Sequence, residues 1–145
     1  MTLRVLYLHQ HYSAPAGSTA TRAHAMAAGL AARGHDVTLA CGRYDGAETG
    51  LGGRFRLGRR RGRAPGAAGF GLVEFDIRCG NAQGRRERLL AFGRYAAAAS
   101  ALALSRPWDL VIASSTPLTV AVPALAAHRL RGTPFVFEIR DPWPE

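Results

Sequence analysis

The chain has 145 residues and a mass of 15.5 kDa, enough for one domain with a real core, and 48% hydrophobic against 20% charged residues excludes a disordered chain. The formal net charge of +9 rests on 19 arginines and no lysine, beside 27 alanines, a pattern that a GC-rich coding sequence explains as simply as an anionic partner does. Two cysteines, Cys41 and Cys79, exclude a disulfide scaffold and give no zinc spacing. A reduced, cytoplasmic setting is expected, because no apolar run approaches the roughly 20 residues of a membrane span and the N-terminus lacks the pattern of a signal peptide.

Leu3–Leu8 is a short apolar run, read as a buried strand. The loop His9–Ala20 follows, with Pro15 and Gly17 as breakers. Thr19 or Thr21 caps a helix running to about Arg33, and Gly34 stands where a left-handed helix end needs no Cβ. Asp36–Cys41 is the second strand, so the first parallel crossover is complete. The Arg- and Gly-rich stretch from about 45 to 70 reads as a mobile loop. Gly71–Arg78 alternates as a strand near a sheet edge does, and Gln83–Ser105 is a helix by propensity. Asp109–Ala113 is a fully buried strand. Thr116 caps, and Pro117 opens, a helix that ends at Gly132, and Pro134–Ile139 is the fifth strand. The pattern predicts a doubly wound, Rossmann-like parallel α/β sheet over residues 1–145. Such a sheet needs both faces covered, so a chain stopping after its fifth strand reads as truncated.

Charge is concentrated. Arg54 to Arg94 holds 11 arginines against Glu74, Asp76 and Glu87, and six of them fall within Arg54–Arg63. Two readings stay open for this stretch: a solvated loop, or a surface for phospholipid head groups, a diphosphate or nucleic acid. Only Phe55 interleaves with the loop arginines, so a base-stacking platform is poorly supported. Arg85, Arg86 and Arg88 fall in the first turns of a helix, where they oppose its dipole. An external anion is one reason for them, and solvation of the helix end another.

Ligands of such sheets bind at the carboxyl ends of the strands. The first loop there carries neither a dinucleotide fingerprint nor a Walker loop. Gly17, Ser18 and Thr19 before a helix fit a phosphate or sugar hydroxyl, or an ordinary cap. His9 and His11 share one side of an extended segment but lack a third metal ligand. Asp141 follows a buried strand beside Arg140. It suits hydroxyl binding or proton acceptance, or a structural ion pair. Glu138 is left without a role.

LRVLYLHQHYSAPAGSTATRAHAMAAGLAARGHDVTLACG at the start, and STPLTVAVPALAAHRLRGTPFVFEIRDPWPE at the end, resemble the N-terminal domain of family 4 glycosyltransferases of the GT-B fold. The similarity is strongest to the bacterial subgroup that builds capsular, exopolysaccharide and O-antigen units. That resemblance implies a retaining, metal-independent transferase without a cofactor. It moves a sugar from a nucleotide-sugar co-substrate to a polyprenyl-diphosphate-linked acceptor in cell-surface polysaccharide synthesis. It implies Asp141 near the reaction centre, and Ala16, Gly17, Ser18, Thr19, Arg22, Ser115, Thr116 and Arg140 as substrate-binding residues. Arg85, Arg86 and Arg88 would face an anionic membrane, placing the chain in the cytoplasm or peripherally on the inner membrane face. The nucleotide half, with its E-x7-E motif, would be a second domain, in cis or in trans, and the chain alone would be inactive. Three features depart from the pattern: a single glycine in the first loop, Pro142 in place of leucine, and Glu138 and Glu145 seven apart rather than eight. A noncatalytic Rossmann-like anion-binding or regulatory module is the alternative, and a nucleic-acid binder the third.

Overall fold

The computed structural model describes residues 1–17, 22–51, 59–63 and 69–140. In chain order these form β1 (Arg4–Leu8), α1 (Arg22–Ala32), β2 (Asp36–Tyr44), β3 (Arg59–Arg63), β4 (Gly71–Cys79), α2 (Arg85–Ser105), β5 (Leu110–Ser114), a 3-10 turn (Leu118–Val120), α3 (Ala121–Arg131) and β6 (Phe135–Glu138). They build a six-stranded sheet in the order β3-β4-β2-β1-β5-β6, parallel except for β3. The chain first winds outward from β1 to β4, then returns to β5 beside β1. The two carboxyl ends at that reversal frame a crevice.

Strand alternation sorts the core into two layers. Val5 and Tyr7 join Val37, Leu39 and Cys41 beneath α1, which meets them through Ala23 and Ala27. Leu6 and Leu8 face the other way, with Ala40, Val73 and Phe75, beneath α2 and α3. Alanines at the contacts (Ala99, Ala103, Ala124, Ala127) let those helices lie close to the sheet. Tyr95 of α2 crosses the interface and donates from its hydroxyl to the Ala40 carbonyl at 2.6 Å.

Two expectations give way. The Arg-rich stretch holds an element after all: Arg59–Arg63 pairs antiparallel with β4, so the sheet has six strands rather than five. One edge of β3 faces solvent, where arginines suit a strand that must not pair further. Thr116 and Pro117 do not open the third helix directly. A 3-10 turn intervenes and α3 begins at Ala121, so Pro123 falls in its first turn, where no intrahelical N–H is lost. The glycine ends hold: Gly34 (φ 87°) follows α1 and Gly132 (φ 67°) caps α3. β2 runs three residues past the expected Cys41, through an irregularity between Cys41 and Arg43.

Candidate functional site at the strand carboxyl edge

β1, β5 and β6 deliver their last residues to one place. His9 follows β1 and is buried. Arg140 follows β6, and its Nη1 lies 3.2 Å from His9 Nε2. A guanidinium can only donate, so Nε2 is the acceptor and the imidazole proton sits on Nδ1, which donates to the Ser114 carbonyl at 3.3 Å. Burial foremost, and the Arg140 charge against it, lower the His9 pKa to about 4. The ring is therefore a neutral prop that aims a cation. Ser115 completes the clamp, its buried Oγ accepting from the Arg140 backbone N–H at 3.0 Å.

Glu138 is the second centre. Its Oε2 accepts from Ser114 Oγ at 2.8 Å, and its Oε1 meets Arg22 Nη2 at 2.5 Å. Arg22 is the first residue of α1, so this ion pair closes the crevice from the helix to the opposite half of the sheet. The Tyr7 hydroxyl is buried nearby, beside Ser114. Burial first and the Glu138 charge next hold that phenol in its protonated form. Glu138 is the crevice residue that sequence reasoning left aside; its signal is a lone carboxylate in the apolar run FVFEI.

A third group lies toward β2. Gln10 is fully buried with both ends of its amide unpaired among the described residues, and His11 Nε2 is also unpaired. The His11 ring packs 4.6 Å from Tyr44 and 6.2 Å from Phe92. Burial, then His9 and Arg88, lower its pKa to about 4. Buried amide and imidazole groups without partners are the kind that a hydroxyl-rich ligand satisfies.

The structure thus brings together Arg22, Ser115 and Arg140, and adds His9, Glu138 and Gln10. Thr116 is exposed beside Ser115. Ala16 is exposed and Gly17 half-buried in a turn that closes on Ala14. A Cβ on Gly17 would stand 1.9 Å from Ser13 Oγ and 3.0 Å from the Glu48 nitrogen, so this glycine serves a close approach to the segment after β2. Ser18, Thr19 and Asp141 lie outside the described residues. Arg85 and Arg86 are exposed on the first turn of α2, whereas Arg88 is half-buried, with its charge felt at His11. Among the described residues no three His, Cys, Asp or Glu side chains converge to hold a metal ion.

The family model that matches residues 17–145 is described as "Glycosyl transferase 4-like domain". No curated protein matches the chain. A solved structure described as "Trehalose-6-phosphate from E. coli bound with UDP-2-fluoro glucose" superposes with a TM-score of 0.58 at 10% identity, over 97% of this chain and 34% of that one. The chain therefore spans about a third of that neighbour's length, and the likeness is one of fold, the N-terminal domain of the GT-B type.

Proposed function

Because the chain belongs to the glycosyl transferase 4-like domain family, we propose that it is the acceptor-side domain of a retaining glycosyltransferase. The donor is a nucleotide sugar, in line with the UDP-sugar bound to the fold neighbour, and its binding half is a second domain. The chain alone is then inactive. The acceptor is a polyprenyl-diphosphate-linked saccharide of a cell-surface polysaccharide. No metal or cofactor is called for; the nucleotide sugar is a co-substrate.

The observation that carries this reading is the clamp on Arg140. Its backbone is fixed by Ser115 and its guanidinium by a neutral imidazole, which leaves a full positive charge at the crevice. A sugar transfer develops negative charge on the leaving diphosphate, and a preorganised cation stabilises that charge without reorganising. The substrate-binding roles that the family resemblance gives Ala16, Gly17, Ser18 and Thr19, and a role for Asp141 at the reacting hydroxyl, belong to this reading.

The start of α2 supports a membrane-facing role. Leu89 and Leu90 are each 67% exposed, one helical turn after Arg85 and Arg86, so cations and apolar side chains share a face. Among the described residues no helix is long and apolar enough to cross a membrane. Peripheral contact with an anionic leaflet would bring a lipid-linked acceptor to the crevice.

The test is the lipid-linked saccharide pool of the source organism with the gene deleted, read by mass spectrometry. An intermediate that stops one sugar short is expected to accumulate. An unchanged pool would overturn the reading.

A further inference from the structure

At the opposite, amino-terminal edge of the sheet lies a cleft of about 270 Å³ that sugar transfer does not use. Arg61 of β3 enters it from one side and Arg106, just after α2, from the other. We infer that this cleft is a second anion site, which takes a phosphomonoester between the two guanidinium groups.

The charges are placed for it. Arg106 is held in a fixed pose: its guanidinium lies 4.0 Å from the centre of the Trp108 ring, donates to Thr38 Oγ1 at 3.4 Å, and stands 3.7 Å from Asp36. A stacked guanidinium keeps its edge N–H groups for an anion, and its fork matches the oxygens of a phosphate. Arg61 has no acidic partner among the described residues. Its pKa is lowered, by burial first and then by the charges of Arg59 and Arg106, so like charges converge here. With Asp36 as the one carboxylate lining the cleft, Arg61 and Arg106 leave one positive charge in excess, to which Arg59 adds its field from beside Arg61. A phosphomonoester carries nearly two negative charges at neutral pH. Leu72, Val73 and Leu102 form an apolar floor, and the volume leaves room for a small organic portion besides the phosphate.

The cleft is independent of the crevice. It is lined by the first residues of β2 and β4 and shares no residue with the crevice, and the exposed arginines at the first turn of α2 lie about 30 Å away along the 21 residues of that helix. Its ligand is either a soluble phosphomonoester or the head group of a phosphomonoester lipid.

The test is a titration of the purified chain, followed by the Nε–H signals of Arg61 and Arg106 and the Trp108 indole signal in nitrogen-15 spectra. Glycerol 3-phosphate is one probe, phosphatidic acid vesicles the other, and sodium chloride at matched ionic strength the control. Saturating shifts at millimolar glycerol 3-phosphate or below are expected, weakened at least tenfold in Arg61→Gln and unchanged in Arg140→Gln. Arg61 lies on an exposed edge strand, so its replacement leaves the core intact. Loss of these signals with vesicles alone, again dependent on Arg61, assigns the phosphate to a lipid. Shifts that chloride reproduces, an Arg61→Gln variant that titrates like the parent, or no response to either probe would overturn the proposal.

Discussion

At the scale of single residues, the carboxyl-edge site makes acid stability specific. His9 and His11 stay neutral in the fold down to about pH 4, whereas an unfolded chain protonates histidine near 6.5. The unfolded state binds more protons between those values, so stability falls as pH drops from about 6.5 to about 4 and levels off below. For buried His9 the loss is on the order of 3 kcal/mol. Asp109 acts lower. Hydrogen bonds from the Arg4 side chain first, and from its backbone N–H next, hold this carboxyl at about 2, below its unfolded value. Its stabilisation is present above about pH 4 and is lost as pH falls toward 2. Thermal melts across pH 2–7 are expected to show both windows. His9→Asn is expected to reduce the upper slope and His9→Asn/His11→Asn to flatten it, while Asp109→Asn flattens the lower; an upper slope unchanged in the double variant contradicts the assignment. Gly17 gives a steric prediction. Gly17→Ala drives a methyl into Ser13 Oγ, which also accepts from the Glu48 N–H at 3.1 Å, and is expected to destabilise by about 1–3 kcal/mol in urea melts. The sequence marks Gly17 for a ligand, whereas the geometry ties it first to Ser13. That tie is invisible locally, because Glu48 reaches the loop only after β2 has formed.

At the scale of elements, the strands read from the sequence because burial on both faces writes apolar runs, as in DLVIA and LRVLYL. β3 does not, because RRRGR carries no apolar face at all; β4 alone makes it a strand through one-sided pairing. Glu138 hid for a similar reason. Its partners Arg22 and Ser114 lie far away in the chain, and only the parallel register of β5 with β6 sets Ser114 opposite Glu138. Arg22 and Arg140 were legible, although through family resemblance rather than spacing. The junction of α2 with β2 carries a prediction of its own. The Ala40 carbonyl accepts from both Tyr95 Oη and the His9 N–H, which couples the helix to the first residue of the crevice. Tyr95→Phe removes one donor inside the core and is expected to cost about 1–2 kcal/mol. Faster amide exchange at His9 should accompany it. An unchanged His9 exchange rate would show that the helix does not support the site.

At the scale of the whole molecule, the two edges of the sheet carry different chemistry and the start of α2 carries a third surface. The structure divides the arginines that the sequence groups together, since Arg88 is half-buried while Arg85 and Arg86 are exposed and share their face with Leu89 and Leu90. Each cation near an anionic leaflet is worth about 1 kcal/mol, and each inserted leucine adds about 1.5–3 kcal/mol. Co-sedimentation with anionic vesicles is expected to fall severalfold in Arg85→Gln/Arg86→Gln and in Leu89→Ser/Leu90→Ser, but little in Arg88→Gln. Equal binding to neutral vesicles would contradict a charge-led contact. We place sugar transfer at the carboxyl-edge crevice around Arg140. Its most direct measurement is complementation of the deletion strain, with the lipid-linked product quantified against protein level. Arg140→Gln and Arg22→Gln are expected to lower the product at least tenfold, while Leu130→Gln, on the exposed side of α3, restores it fully. Full product from Arg140→Gln would contradict the account.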